Sequence, residues 1–183
     1  MIIRRQHAGF TLVELMVGLA LALMVLAAVT SSYLFMGRNL SRLVNQQTLE
    51  TQSRLMLQHF LQDVRMASSV TSPSATGFTL TVPTSTGTTT VVYAYDSSAK
   101  TLTRTPASGN ARVLLQNLQS LSFTFYDAGT TVTNYVDSVA IASIRQVSYA
   151  FTAQIGSSAN GTLTPLFQGA SPKVLMHNKT WSP

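Results

Sequence analysis

The chain contains no cysteine. That excludes a disulfide framework, a thiol nucleophile and a thiolate metal site, and it leaves the redox compartment unread. Charge is scarce too. Only 10% of the 183 residues are Asp, Glu, Lys or Arg, against about 25% in an ordinary soluble domain. Ser, Thr, Asn and Gln stand in their place, as in exported proteins with polar, strand-rich surfaces. The six acidic residues are scattered, so no carboxylates are paired for acid–base catalysis. His7, His59 and His177 lie far apart, with no thiol or carboxylate cluster to complete a metal site. Asp127, Asn134 and Asp137 are close in sequence and carry oxygen ligands of the kind that hold calcium, but the dense spacing of a calcium loop is missing. Gly77, Gly87, Gly109 and Gly129 fit turns, and no phosphate-cradling glycine pattern occurs. Catalytic residues, cofactor and metal are all expected to be absent, and the chain reads as a non-enzyme.

The net charge of +6 raises the question of nucleic acid. Arg4 and Arg5 belong to the extreme N-terminus. Without them the twelve basic residues fall to ten against six acidic, a net +4. Beyond Ala67 the basic residues are Lys100, Arg104, Arg112, Arg145, Lys173 and Lys179. Their dispersal speaks against a nucleic-acid surface, which needs them clustered on one face.

What the sequence does have is one long apolar run. From Leu15 to Met36, 22 residues, there is no charge. At about 1.5 Å per residue this spans roughly the 30 Å hydrocarbon core of a bilayer. Arg4 and Arg5 precede it and place the N-terminus on the cytoplasmic side. The run is longer than the 7–15 apolar residues of a secretory signal peptide, although Ala27–Ala28 imitates a cleavage site. A plain signal anchor fits the length but gives no account of Glu14, one residue before the run. A carboxylate at that depth costs about 2.5–3.5 kcal/mol on insertion scales.

The stretch "GFTLVELMVG" resembles the class III signal of type IV prepilins. In these a short basic leader ends in Gly, and Phe, a Thr-Leu-Val-Glu-type sequence and a hydrophobic helix follow. The resemblance implies that prepilin peptidase cuts between Gly9 and Phe10 and methylates the new amine on Phe10. Glu14 becomes the fifth residue of the mature chain, where the family places its glutamate. There it is expected to meet the terminal amine of a neighbouring subunit in the filament core. A buried ion pair adds little net stability, but an unpaired buried charge is costly. Such a glutamate therefore penalises wrong registers between subunits. Many major pilins carry a mid-helix proline that loosens the helix. This chain has none, so that loosening is not carried over; Gly37 is a soft point just past the membrane.

From Phe10 to about Ala67 the sequence is helix-compatible, about 58 residues and roughly 85 Å. Leu57, Phe60, Leu61 and Val64 make an apolar face at i, i+3, i+4 and i+7, expected to lie on the protein's own sheet. Glu50 and Arg54 are spaced for a surface pair. "SSVTSPSATG" (68–77) reads as the loop that ends the helix, and the period then changes to two. "FTLTVP" (78–83) alternates. Residues 89–106 read as a hairpin turning at Asp96–Lys100, with Val91, Tyr93 and Tyr95 on one face. "TSTGTTT" (84–90) reads as a loop running into it. Residues 113–129 are expected to open with a helical turn and continue as a strand presenting Leu121, Phe123 and Phe125. Residues 144–155 alternate Val147, Tyr149 and Phe151, and 172–178 add a last short strand. The expected fold class is α+β, a long N-terminal helix packed on an antiparallel β-sheet.

In the order of its features the chain is similar to the PilW family of minor pilins and to the J-type pseudopilin of type II secretion. Their Asp-x-Arg-x-Ala helix end is matched by "QDVRMA" (62–67). The Tyr-rich and Leu-x-Arg strands are matched by "VYAYDSSAKTLTR". The Val-Leu…Leu-x-Phe-x-Tyr-Asp-x-Gly stretch and the Ile-x-x-Val-x-Tyr strand are matched by "VLLQNLQSLSFTFYDAG" and "IRQVSY". The implied organisation is a leader peptide at 1–9, a transmembrane and filament-core helix at 10–36, and a periplasmic or extracellular head at 37–183. The implied role is structural, a minor pilin in initiation or tip assembly of a type IV pilus. Its partners would be other pilin subunits, prepilin peptidase and the inner membrane. A pseudopilin of type II secretion and a DNA-binding competence pilin are the alternatives.

Overall fold

The computed structural model describes residues 9–155 and 166–179. The chain divides into two compact units, Met1–Ser41 and Arg42–Pro183. Helix α1, Leu12–Met66, begins in the first unit and ends in the second.

In the first unit the helix buries almost nothing. Leu15, Val17, Leu19, Leu21, Leu23 and Leu26 are all more than half exposed. Length and composition make this segment able to cross a membrane. In such a setting every polar group must find a partner inside the chain. The Thr30 hydroxyl does so by donating to the Leu26 carbonyl at 2.8 Å.

In the second unit the same helix buries Leu49, Met56, Phe60, Asp63 and Val64. Phe60 and Val64 were expected in the core. Leu57 and Leu61 only flank it, because the buried face is centred on Met56 and Phe60. The Glu50–Arg54 pair forms at 2.6 Å on the exposed side.

Two antiparallel sheets follow where the sequence suggested one. The first is a meander of β1 (Ser69–Thr71), β2 (Gly77–Thr84), β3 (Gly87–Asp96), β4 (Thr101–Pro106) and β5 (Arg112–Leu115), hydrogen-bonded in chain order. The second contains β6 (Leu118–Asp127), β7 (Thr130–Val132), β8 (Gln146–Ala153), β9 (Phe167–Ala170) and β10 (Val174–Leu175). There β8 lies between β6 on one side and β9 with β10 on the other, and β7 pairs with β6. The short helix α2, Ser138–Ser143, connects β7 to β8. This is an α+β, pilin-like arrangement.

Period-two alternation puts the expected side chains inside. Phe78, Leu80 and Val82 from β2, Val91 and Tyr93 from β3, Leu121, Phe123 and Phe125 from β6, and Val147, Tyr149 and Phe151 from β8 are all buried. One aromatic cluster joins helix and sheets. Phe60 meets Tyr149 edge-on at 4.8 Å and Tyr93 at 6.2 Å, while Phe78 meets Phe123 at 4.7 Å. Such pairs add about 0.5–1.5 kcal/mol each beyond area burial.

Four local expectations are corrected. Residues 113–115 form no helical turn: Leu115 pairs with Leu102 and Val113 with Thr103, closing the edge of the first sheet. The 68–77 loop contains β1, whose Val70 is buried against β2. The 84–90 segment narrows to a tight turn, since Thr84 already pairs with Gly87. Finally, α2 and β9 were not anticipated. Gly77 is required for contact and not for a turn, since a Cβ there would lie 2.6 Å from the Tyr93 carbonyl oxygen. Gly129 does serve a turn: Ala128 and Gly129 both have positive φ between the paired Asp127 and Thr130, the conformation of a two-residue hairpin.

Candidate processing and assembly site

Gly9 and Phe10 precede the helix without regular structure, and Phe10 is 80% exposed. Arg4, Arg5 and His7 lie outside the described residues.

Thr11 starts the helix. Its carbonyl accepts the Leu15 N–H at 3.2 Å, and its hydroxyl accepts the Glu14 N–H at 3.3 Å. Glu14 answers in the other direction. Its Oε2 accepts the Thr11 N–H and the Thr11 hydroxyl, both at 2.9 Å. This is a capping box, in which the first and fourth residues satisfy each other's orphan N–H groups. The T-x-x-E spacing of Thr11 and Glu14 was available in the sequence, hidden behind the question of charge. The geometry bears on assembly as well. The carboxylate is held one residue from the Phe10 nitrogen, at the positive end of the helix dipole, where a negative charge is favoured. A carboxylate accepts about four hydrogen bonds, so the cap leaves capacity for an ammonium.

A second polar constellation lies in the head and was not foreseen as a site. Asp63, on α1, is buried. Arg104 on β4 grips it with two bonds, Nε to Oδ2 at 2.6 Å and Nη2 to Oδ1 at 2.8 Å. The Tyr93 hydroxyl on β3 donates to the same Oδ2 at 2.6 Å. The hydrogen bond to Asp63 raises the Arg104 guanidinium above its usual range. Burial first, and the Asp63 charge second, push the Tyr93 phenol up as well. Both groups therefore keep their protons. A bidentate arginine–carboxylate pair fixes direction as well as distance, so the helix end is set against β3 and β4 in one position. The three residues come from "QDVRMA", the Tyr-rich strand and the Leu-x-Arg strand, the pieces whose order carried the family resemblance.

The remaining candidates are engaged locally. Asp137 caps α2, accepting the Val139 N–H at 2.9 Å. The Asn134 side-chain oxygen accepts the Val136 N–H at 3.1 Å. Asp127 faces Arg145 Nε at 3.6 Å. These groups serve a helix start, a turn and an ion pair. Among the described residues no three acidic or histidine side chains gather as a metal site.

No curated protein and no solved structure matches the chain significantly. One family model does, the prokaryotic N-terminal methylation motif, over residues 4–30. The match includes Gly9, Phe10, the capping box and most of the apolar run, and it supports a type IV pilin-like or pseudopilin subunit.

Proposed function

We propose that the chain is the precursor of a minor pilin that helps to start or cap a type IV pilus. One observation carries the reading: an exposed Gly9–Phe10 bond stands directly before a capped apolar helix with Glu14 in its first turn. In this reading residues 1–9 are a leader removed by prepilin peptidase, and the Phe10 amine is methylated. Residues 10–36 anchor the subunit in the inner membrane with the N-terminus cytoplasmic, then enter the filament core. Residues 37–183 are the head, periplasmic before assembly. Glu14 pairs with the terminal amine of a neighbouring subunit and fixes register.

The union of Asp63, Tyr93 and Arg104 supports the narrower likeness to PilW-type minor pilins, because it gives a joint purpose to three separated motif pieces. The same pieces occur in the J-type pseudopilin of type II secretion, which is the second reading. A DNA-binding competence pilin is less well supported, because Arg104, one of six basic residues beyond Ala67, is committed to Asp63.

Two measurements test the proposal. Intact mass of the membrane-extracted protein should show loss of Met1–Gly9 and one added methyl group. A mature terminus near Ala28 would overturn it. Deleting the gene should abolish or shorten surface pili and leave exoprotein secretion intact. Loss of secretion with normal pili would select the pseudopilin.

A further inference from the structure

Some of the basic residues that are far apart in the sequence of the head come together in space. Arg145 immediately precedes β8, and its N–H donates to the Tyr126 carbonyl. Lys173 sits 4.1 Å over the Tyr126 ring and donates to the Gly129 carbonyl. The chain after β10 returns across the same end: the Met176 N–H donates to the Arg145 carbonyl, and the His177 N–H to the carbonyl of Arg65 in the last turn of α1. Lys179 then donates to the carbonyls of Ala142 and Ile144 at the end of α2. Arg65, Arg145, Lys173, His177 and Lys179 thus collect around one end of the second sheet. Asp127 is the acidic residue that faces Arg145 among them.

Within this group lies a cleft of about 310 Å³ lined by Arg145, Leu175, Met176, His177 and Lys179. Met176 is buried and forms part of its wall, while Leu175 is 46% exposed. An ammonium has three N–H donors, and Lys179 spends two on the α2 carbonyls. Burial, and after it the neighbouring Arg145, hold the Lys179 ammonium below its usual range, with Asp127 acting in the opposite sense. Arg145 and Lys179 line the same cleft, with Asp127 beside Arg145, and an incoming carboxylate is favoured next to two like charges.

We infer that this cleft is a docking site for an acidic–aliphatic segment of another protein, with a carboxylate between Arg145, His177 and Lys179 and an apolar side chain against Leu175 and Met176. An apolar wall with a polar, solvent-accessible rim is the anatomy of a protein interface, and the cations in this rim favour an acidic partner. Nucleic acid fits less well. Single strands need a groove along which successive bases stack on open aromatic faces, and the face of Tyr126 here is covered by Lys173. The inference goes beyond the proposed role in a filament, and its test stands whether or not pili require the chain.

The test is fluorescence anisotropy on the full chain in non-ionic detergent, with a labelled peptide alternating aspartate and leucine. The same peptide with asparagine for aspartate, and a labelled oligothymidylate, are the comparisons. The acidic peptide should bind at least about tenfold tighter than the asparagine peptide. Lys179→Gln should remove most of that preference and Lys179→Arg should retain it. If Lys179→Gln alters thermal unfolding, His177→Gln replaces it and should weaken the preference severalfold. Equal binding of the two peptides, or indifference to both glutamine variants, would overturn the inference. Oligothymidylate displacing the acidic peptide would overturn it in favour of nucleic acid.

Discussion

Replacing Glu14 tests two physical roles at once, and the capping box shows how to separate them. In the free subunit the carboxylate accepts the Thr11 N–H and hydroxyl. In the proposed filament it also neutralises a neighbour's Phe10 amine. Glu14→Ala removes both functions. Glu14→Gln removes only the charge, because a glutamine side-chain oxygen still reaches back to the first N–H of the box. Thr11→Ala removes the cap and keeps the charge. The magnitudes differ enough to decide between the roles. Loss of a cap costs about 0.5–2 kcal/mol. Leaving one partner of a buried ion pair unmatched costs about 3–5 kcal/mol, or roughly two to three and a half orders of magnitude in an assembly equilibrium.

The assay compares the three variants for membrane level, cleavage by intact mass, and recovery in sheared filaments. All three should insert: removing the charge in the two Glu14 variants eases insertion by about 2.5–3.5 kcal/mol, and Thr11→Ala leaves the charge of the span unchanged. All three should lose Met1–Gly9, because Gly9 and Phe10 are unchanged. Filament recovery of Glu14→Gln should be as poor as that of Glu14→Ala, with Thr11→Ala close to the wild type. If Glu14→Gln assembles normally while Glu14→Ala fails, the residue acts as a helix cap and the charge-pairing argument is refuted. Failure of cleavage in the Glu14 variants would make the peptidase the reader of this residue.

Two further outcomes concern the head. Asp63→Asn should destabilise it by about 3–5 kcal/mol in urea titration, because the Arg104 guanidinium is left beside a neutral group in a mostly buried site, whereas Asp63→Leu combined with Arg104→Met and Tyr93→Phe, which removes the whole constellation including the hydroxyl that donates to Asp63, should be nearly neutral; a loss below about 1 kcal/mol for Asp63→Asn would mean that the pair positions nothing. Burial pushes the Tyr149 phenol up to about 12, and Tyr93 is raised as well. A folded-state value above the unfolded one, near 10, means that this contribution is intact below pH about 10 and is lost as pH rises towards 12. Urea midpoints should be flat from pH 8 to 9.5 and fall above it, by on the order of 2 kcal/mol from Tyr149. A flat profile to pH 12 would refute the burial of these phenols.

The strand pattern was legible where one local rule was enough. Phe78–Leu80–Val82 and Val147–Tyr149–Phe151 alternate because each strand has one buried face, and a period of two reports a face whatever the partner. It does not report which strands pair. A single sheet and two sheets therefore look alike in sequence, and what distinguishes them is the break between β5 and β6, which belong to different sheets. Elements of three or four residues carry too little pattern to read, as with β1 and β9. Leu114 and Leu115 misled for a different reason: both are buried, and consecutive apolar residues break the alternation that marks a strand.

The N-terminal motif was legible because its residues are spaced along a single helix start. The head's polar residues were not, because their partners are distant. Asp63 meets an arginine 41 residues away and a tyrosine 30 residues away. A lone carboxylate on a helix is ordinarily solvated, so nothing local marks it for burial. Its burial follows from the two strands that arrive later with a guanidinium and a phenol at matching positions. The pair adds little stability over apolar replacements, but with one partner missing the assembly is heavily penalised. That is the same physical logic proposed for Glu14 and the Phe10 amine. In the head the charge pair sets a helix on its own sheet. In the filament it would set one helix against the next.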